Sequence, residues 1–229
     1  MFYERKDFPG LIRAFNLVAA NHDNVVLRIF GDGPDRFKVE QERYRSPVKG
    51  RIEILGKVAH SEVLRQMQEV DIFALVGWRE PFATVFLEAM AAGLPVVACN
   101  DGGIAEVITS VNLSRGPLKY ASRFTGQLVE IADDAGVVCG QSPVFSERNQ
   151  DDSLHASRNP QYPNGILVPP RNIEAAARAM EFLIDNPEAR VAIGQAAKAK
   201  IEADLTWDAV VKKYSVLFRD AIKANETRF

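Results

Sequence analysis

Two glutamates separated by seven residues, Glu80 and Glu88, flank Phe82-Ala83-Thr84 in the segment from Trp78 to Pro95. Glu80 falls in a loop just before Pro81, and Glu88 falls on a helix expected to begin near Phe82 or Ala83. The first four N–H groups of such a helix have no partner within it, and the helix dipole favours an anion there. Carboxylates beside an anion site make chemical sense when the ligand also carries hydroxyls, which donate charge-assisted hydrogen bonds to carboxylate oxygens. A nucleotide sugar has hydroxyls at both ends and a diphosphate between them, the same order as Glu80, helix start and Glu88.

These residues need a scaffold, and four β-rich runs alternating with helical patterns supply one: 25–30, 51–55, 71–76 and 95–99. Each is followed by turn residues, among them Gly31-Asp32-Gly33-Pro34 and Asn100-Asp101-Gly102-Gly103. That alternation predicts an α/β fold, a Rossmann-like parallel sheet flanked by helices, with loops gathered at the carboxyl ends of the strands. Leu11, Ile12, Phe15 and Val18 mark one amphipathic helix; Val63, Leu64, Met67 and Val70 mark another, which Ser61 is placed to cap. A fifth strand, Ile166-Leu167-Val168, is stopped by Pro169 and Pro170. Three closing helices are expected over 172–185, 187–203 and 206–224, covering one face of the sheet, with Asn172 and Thr206 as N-caps.

The 58 residues 107–164 exceed an ordinary connection in an α/β unit and read as an insertion on a loop. Within it, Leu118, Ala121, Phe124, Leu128, Ile131 and Ala135 share a helical stripe, which predicts a helix over 117–135. Residues 140–164, rich in Ser, Asn, Gln and Pro, are expected to lack regular structure.

Composition narrows the function classes. With 28 Lys+Arg against 30 Asp+Glu in 229 residues, bulk charge does not favour nucleic acid. Two cysteines are too few for a disulfide framework and suit a reducing, cytoplasmic setting. No apolar stretch approaches a membrane span, and the charged start, Met1 to Lys6, lacks a signal-peptide core. His22, His60 and His155 lie far apart without metal-ligand spacing, so no metal site is expected and each reads as a surface or capping residue. There is no Gly-x-Gly-x-x-Gly opening a helix, no Walker lysine motif and no Gly-x-Ser-x-Gly elbow.

The Glu80-x7-Glu88 segment resembles the motif in the second domain of family 4 retaining glycosyltransferases of the GT-B fold. Lys6-Asp7-Phe8 with the following Leu11-Ile12-Arg13-Ala14-Phe15 is similar to that family's lysine turn and helix. Gly31-Asp32-Gly33-Pro34, Gly102-Gly103-Ile104-Ala105-Glu106 and Thr206-Trp207-Asp208 resemble its glycine turn, its glycine-rich loop and the start of its last helix. The resemblance covers residues 6–106 and 165–223.

It implies that residues 1–229 form the nucleotide-sugar-binding, C-terminal half of a GT-B enzyme, with the N-terminal acceptor domain and the first strand absent. Lys6 would neutralise the donor diphosphate and Glu80 would hold hydroxyls of the transferred sugar. Phe82, Ala83 and Thr84 would offer amides to phosphate, Glu88 would bind ribose, Val58 would border the base, and Gly31 and Gly33 would lie beneath the nucleotide. Glu106 would either cap its short helix or face the donor, and Trp78 reads as a packing residue rather than an acceptor platform. The family commonly has glycine at the position of Ala83, which would be strained if φ were positive there. Its diphosphate-binding arginine has no counterpart, since Arg5 is not at the matching position.

The expected activity is therefore hexosyl transfer with retention from a UDP-, GDP- or ADP-sugar to a sugar or other hydroxyl acceptor, without a cofactor or metal ion. The alternative is a non-catalytic nucleotide-sugar-binding module or split subunit that needs a partner chain. A phosphorylase or epimerase explains the two-glutamate segment less well.

Overall fold

The computed structural model describes residues 2–109, 118–121, 128–131 and 163–226, with side chains for 2–109 and 163–222. The elements run α1 (Phe8–Asn21), β1 (Leu27–Phe30), α2 (Arg36–Arg45), β2 (Ile52–Gly56), α3 (His60–Gln66), β3 (Phe73–Leu75), α4 (Thr84–Ala91) and β4 (Val96–Cys99). After these come β5 (Leu118–Ala121), β6 (Leu128–Ile131), β7 (Ile166–Val168), α5 (Ile173–Asp185), α6 (Pro187–Lys200) and α7 (Trp207–Glu226). β1 pairs with β2, and β4 lies between β3 and β7, all parallel, as the strand–helix alternation predicts.

The central strands are apolar at every position because both faces are covered. Val97, Ile166 and Val168 point to one side, into a cluster with Leu11, Val18, Ala176 and Leu183 of α1 and α5. Val96, Ala98 and Leu167 alternate to the other side and meet Phe86, Ala89 and Met90 of α4. A third cluster of Phe2, Ile12, Phe15, Ile29, Val39 and Ile52 closes the β1–β2 side.

Three expectations are corrected. The helix over 117–135 is not formed: β5 and β6 pair antiparallel there, Leu118 opposite Ile131 and Ala121 opposite Leu128. Short apolar runs fit either period, and Tyr120, Val129 and Ile131 favour the extended one. Most of the polar run 140–164 lies outside the described residues. Ser61 does not cap α3, which starts at His60 with Ala59 at the N-cap, so Ser61 is already inside the first turn. Finally, α5 and α6 cover the sheet but α7 does not, with Trp207 85% exposed and Phe218 66% exposed.

Candidate functional site

Lys6 ends a 3₁₀ turn, Glu4–Lys6, and Asp7 then takes a left-handed conformation (φ 46°, ψ 44°). Its carboxylate accepts from the Gly10 amide at 3.0 Å and caps α1. Gly77, two residues beyond β3, admits this turn at close range: a Cβ there would lie 2.6 Å from the Arg5 carbonyl oxygen. The Trp78 amide donates to that same carbonyl at 2.8 Å.

Docking the turn on this loop brings two cations to one carboxylate. Arg5 Nε donates to Glu80 Oε1 at 3.0 Å, and Lys6 Nζ donates to Oε2 at 2.8 Å. The Glu80 side chain is only 8% exposed. Its backbone is fixed as well, through a parallel bridge to Gly102 and a Gly103 amide shared between the carbonyls of Glu80 (3.3 Å) and Pro81 (3.1 Å). Gly102 has φ 141°, and a Cβ there would lie 2.2 Å from the Glu80 carbonyl oxygen, so only glycine fits.

Three residues on, α4 begins with Ala83 at its N-cap in an extended conformation (φ −94°, ψ 104°). A negative φ costs alanine nothing, and the substitution for glycine is harmless here. No side chain caps this helix, whereas Asp7 caps α1 and Asn172 caps α5. Phe82 and Thr84 at its start are exposed, and the Phe86 amide donates to the Ala83 carbonyl at 3.0 Å, which leaves the earlier amides without a partner inside the helix.

Glu88 lies one turn beyond Thr84 on the same face of α4, about 6 Å along the axis. Its Oε1 is 3.3 Å from Nε2 of His60, the first residue of α3. Val58, half-buried, precedes His60 by two residues. The structure therefore gathers Lys6 with Glu80 before the start of α4, and Glu88 with His60 further along it. Gly31 and Gly33 gather elsewhere, around Phe2: a Cβ on Gly33 would lie 2.5 Å from the Phe2 nitrogen. Phe2 donates to the Asp32 carbonyl (2.8 Å) and accepts from the Asp35 amide (3.1 Å). Hydrogen bonds from the Gly33 amide and Arg36 hold the Asp32 carboxyl below its ordinary range. Glu106 is exposed at the end of the 3₁₀ turn Gly103–Glu106.

Sequence reasoning missed four residues. Arg5 stands off the position of the family's arginine, yet the 3₁₀ turn lets it and Lys6 reach one carboxylate. His60 read as a surface or capping residue and pairs with Glu88. Trp78 read as packing and instead lines an open cleft with Arg171 stacked on its ring, the guanidinium carbon 4.1 Å from the ring centroid. Among the described residues, the three non-glycine positions with positive φ are Asp7, Arg79 and Arg171. The first two adjoin Lys6 and Glu80, and the third lies over Trp78.

A parallel α/β domain with this loop order has the architecture of a GT-B glycosyltransferase domain. Residues 1–116 match the family described as glycosyl transferases group 1, and the chain belongs to that family. The gpi3 subunit of phosphatidylinositol N-acetylglucosaminyltransferase from Schizosaccharomyces pombe is 35% identical over 108 residues, 47% of this chain and 24% of that protein. A GDP-mannose-dependent monoacylated alpha-(1-6)-phosphatidylinositol monomannoside mannosyltransferase from Corynebacterium glutamicum is 24% identical over 211 residues, 89% of this chain and 41% of that protein. The C-terminal domain of the group 1 glycosyl transferase LpcC from Francisella tularensis shares the fold, with a TM-score of 0.62 at 17% identity, over 90% of this chain and 83% of that one. The matched stretches thus span less than half the length of both curated relatives. No helix among the described residues is long and apolar enough to cross a membrane.

Proposed function

We propose that this chain is the donor-binding half of a retaining hexosyltransferase that uses a UDP-, GDP- or ADP-sugar and a hydroxyl acceptor. The observation that carries this reading is the uncapped start of α4, with Glu80 on one side and Glu88 on the other. The diphosphate sits against the amides near Ala83 and Thr84 and within reach of Lys6, whose ammonium has three donors and gives only one to Glu80. Glu80 uses one lone pair on each oxygen for Arg5 and Lys6 and keeps the others for sugar hydroxyls. Glu88 takes the ribose, and the Val58 loop borders the base. Positive charge develops on the anomeric carbon as its bond to phosphate breaks. The growing charge on the leaving diphosphate is stabilised by Lys6 and the α4 amides more than the ground state is. No step is routed through a metal ion or a covalent nucleophile.

The acceptor half lies in the remainder of a longer protein or in a partner chain. Support comes from the span of the relatives, from the word subunit in one relative's name, and from α7. Trp207, Val211, Tyr214, Phe218 and Ile222 form one exposed apolar face of that helix, the surface a second domain would cover.

Calorimetric titration of the chain with UDP, GDP and ADP, then with the matching donors, tests this reading. Glu88→Ala is expected to weaken free nucleotide about tenfold, the loss of one charge-assisted hydrogen bond. Glu80→Gln is expected to leave free nucleotide unweakened and to weaken the sugar-bearing donor alone. Absence of nucleotide binding at millimolar concentration ends the donor-half reading, and equal effects of the two substitutions end the division of labour.

A further inference from the structure

A cleft opens beside the loop that carries Glu80. It is about 780 Å³ and is lined by Tyr3, Arg5, Trp78, Arg79 and Arg171 together with the acids Glu4 and Asp35. Arg5, which also pairs with Glu80, and Arg79, the residue before Glu80, line it, whereas Lys6, Glu80, His60 and Glu88 do not.

The lining has uncompensated positive charge. Asp35 is engaged by Lys38 Nζ at 2.7 Å, and Arg5 is shared with Glu80. No ion pair among the described residues engages Arg79 or Arg171, which leaves two guanidinium groups against Glu4. Arg171 lies over the Trp78 ring, an arrangement that occupies its face and leaves its N–H edges in plane for an anion. The ring of Tyr3 lies 5.9 Å from the Arg5 guanidinium carbon and offers a second flat apolar wall. Both unpaired arginines also hold left-handed backbone, φ 51° at Arg79 and φ 57° at Arg171, conformations that persist where the surroundings demand them.

We infer that this cleft binds a phosphate ester carried by the acceptor. Guanidinium groups arriving from three separate segments match the several oxygens of a tetrahedral phosphate better than the two of a carboxylate. The aromatic walls take the carbon skeleton beside the phosphate. The acceptor's hydroxyl then lies next to the Glu80-bound sugar. This inference rests on the donor-half reading for the identity of its neighbour, but its anion binding is measured separately.

The test uses the 229-residue chain with Trp207→Phe, so that fluorescence reports Trp78 alone. The probe is sn-glycerol 3-phosphate, with glycerol as the uncharged control, titrated with and without saturating nucleotide. A saturable response to the phosphate ester and none to glycerol is expected, unchanged by nucleotide. Arg79→Ala and Arg171→Ala are each expected to weaken it about tenfold, the loss of one charged hydrogen-bonding group, while the remote Arg28→Ala leaves it unchanged. Phosphatidylinositol in phosphatidylcholine vesicles distinguishes the source. Association with these vesicles and not with phosphatidylcholine alone assigns a lipid headgroup, and a response confined to the soluble ester assigns a free phosphate ester. Displacement of the probe by nucleotide, or equal affinity in the arginine variants, overturns the inference. Retained nucleotide binding with no phosphate-ester response overturns it alone and spares the donor-half reading, while the reverse result does the opposite.

Discussion

Glu80 and Glu88 are chemically the same side chain, held in opposite ways eight positions apart. Glu80 is 8% exposed, accepts from two cations and is tied through its backbone to Gly102. Glu88 is 29% exposed and meets a single, mostly exposed histidine. The first is built into the fold, and the second is a lightly held edge free to reorient on a ligand. A carboxylate that positions a reacting sugar benefits from the first arrangement, and one that recognises a ribose works with the second.

The tie at Gly102 makes the largest difference between the two. Gly102→Ala forces a side chain onto φ 141° and into the Glu80 carbonyl, at an expected cost of roughly 2–4 kcal/mol. For a domain of this size that lowers the thermal midpoint by about 5–15 °C. A melting curve within a degree of the parent would show that the bridge does not brace Glu80, and the contrast with Glu88 would lose its structural basis.

The next effect compares the carboxylates directly. Glu80→Ala strands Lys6, 17% exposed, beside a buried void, while the half-exposed Arg5 turns to solvent. The expected loss is about 1–3 kcal/mol, below the full cost of breaking a buried pair because Arg5 is screened. Glu88→Ala is expected to cost less than about 0.5 kcal/mol, the range of an exposed pair. Chemical denaturation of both variants checks the ratio, and equal losses would mean that burial does not separate the two sites.

What was legible in the sequence follows the same division. The central strands could be read because both their faces are buried, which leaves near-continuous apolar runs such as Val96-Val97-Ala98-Cys99. The glutamate spacing could be read because it lies within one helix and its preceding loop. The contact of Arg5 with Glu80 spans 75 positions and depends on a 3₁₀ turn docked on Gly77, which no local pattern announces. The β5–β6 hairpin was hidden by apolar residues that fit both periods, and the lack of cover on α7 is a property of what surrounds the helix rather than of its stripe. His60 and Arg171 carried no signal beyond their types, because their partners come from other elements.

A third carboxylate sharpens the comparison, since Asp204 also accepts from two cations but sits near the surface. Lys200 Nζ lies 2.7 Å from Oδ2 and Lys213 Nζ 2.8 Å from Oδ1, so Asp204 joins the end of α6 to α7. Hydrogen bonds from Lys200 first and Lys213 second hold its carboxyl below the ordinary value of 3.8. A group whose pKa is lower folded than unfolded contributes its full stabilisation above the unfolded value and loses it as pH falls through the folded one. Acidification below 3.8 is therefore expected to loosen the α6–α7 junction, and Asp204→Asn should remove that part of the response. The effect is of the same small order as that of Glu88→Ala, under about 0.5 kcal/mol, because water screens the pair. Amide exchange across residues 207–222 at stepped pH measures it. If two cations were enough to make a carboxylate a brace, Asp204→Asn would destabilise as much as Glu80→Ala; a far smaller loss assigns the difference to burial and to the Gly102 bridge.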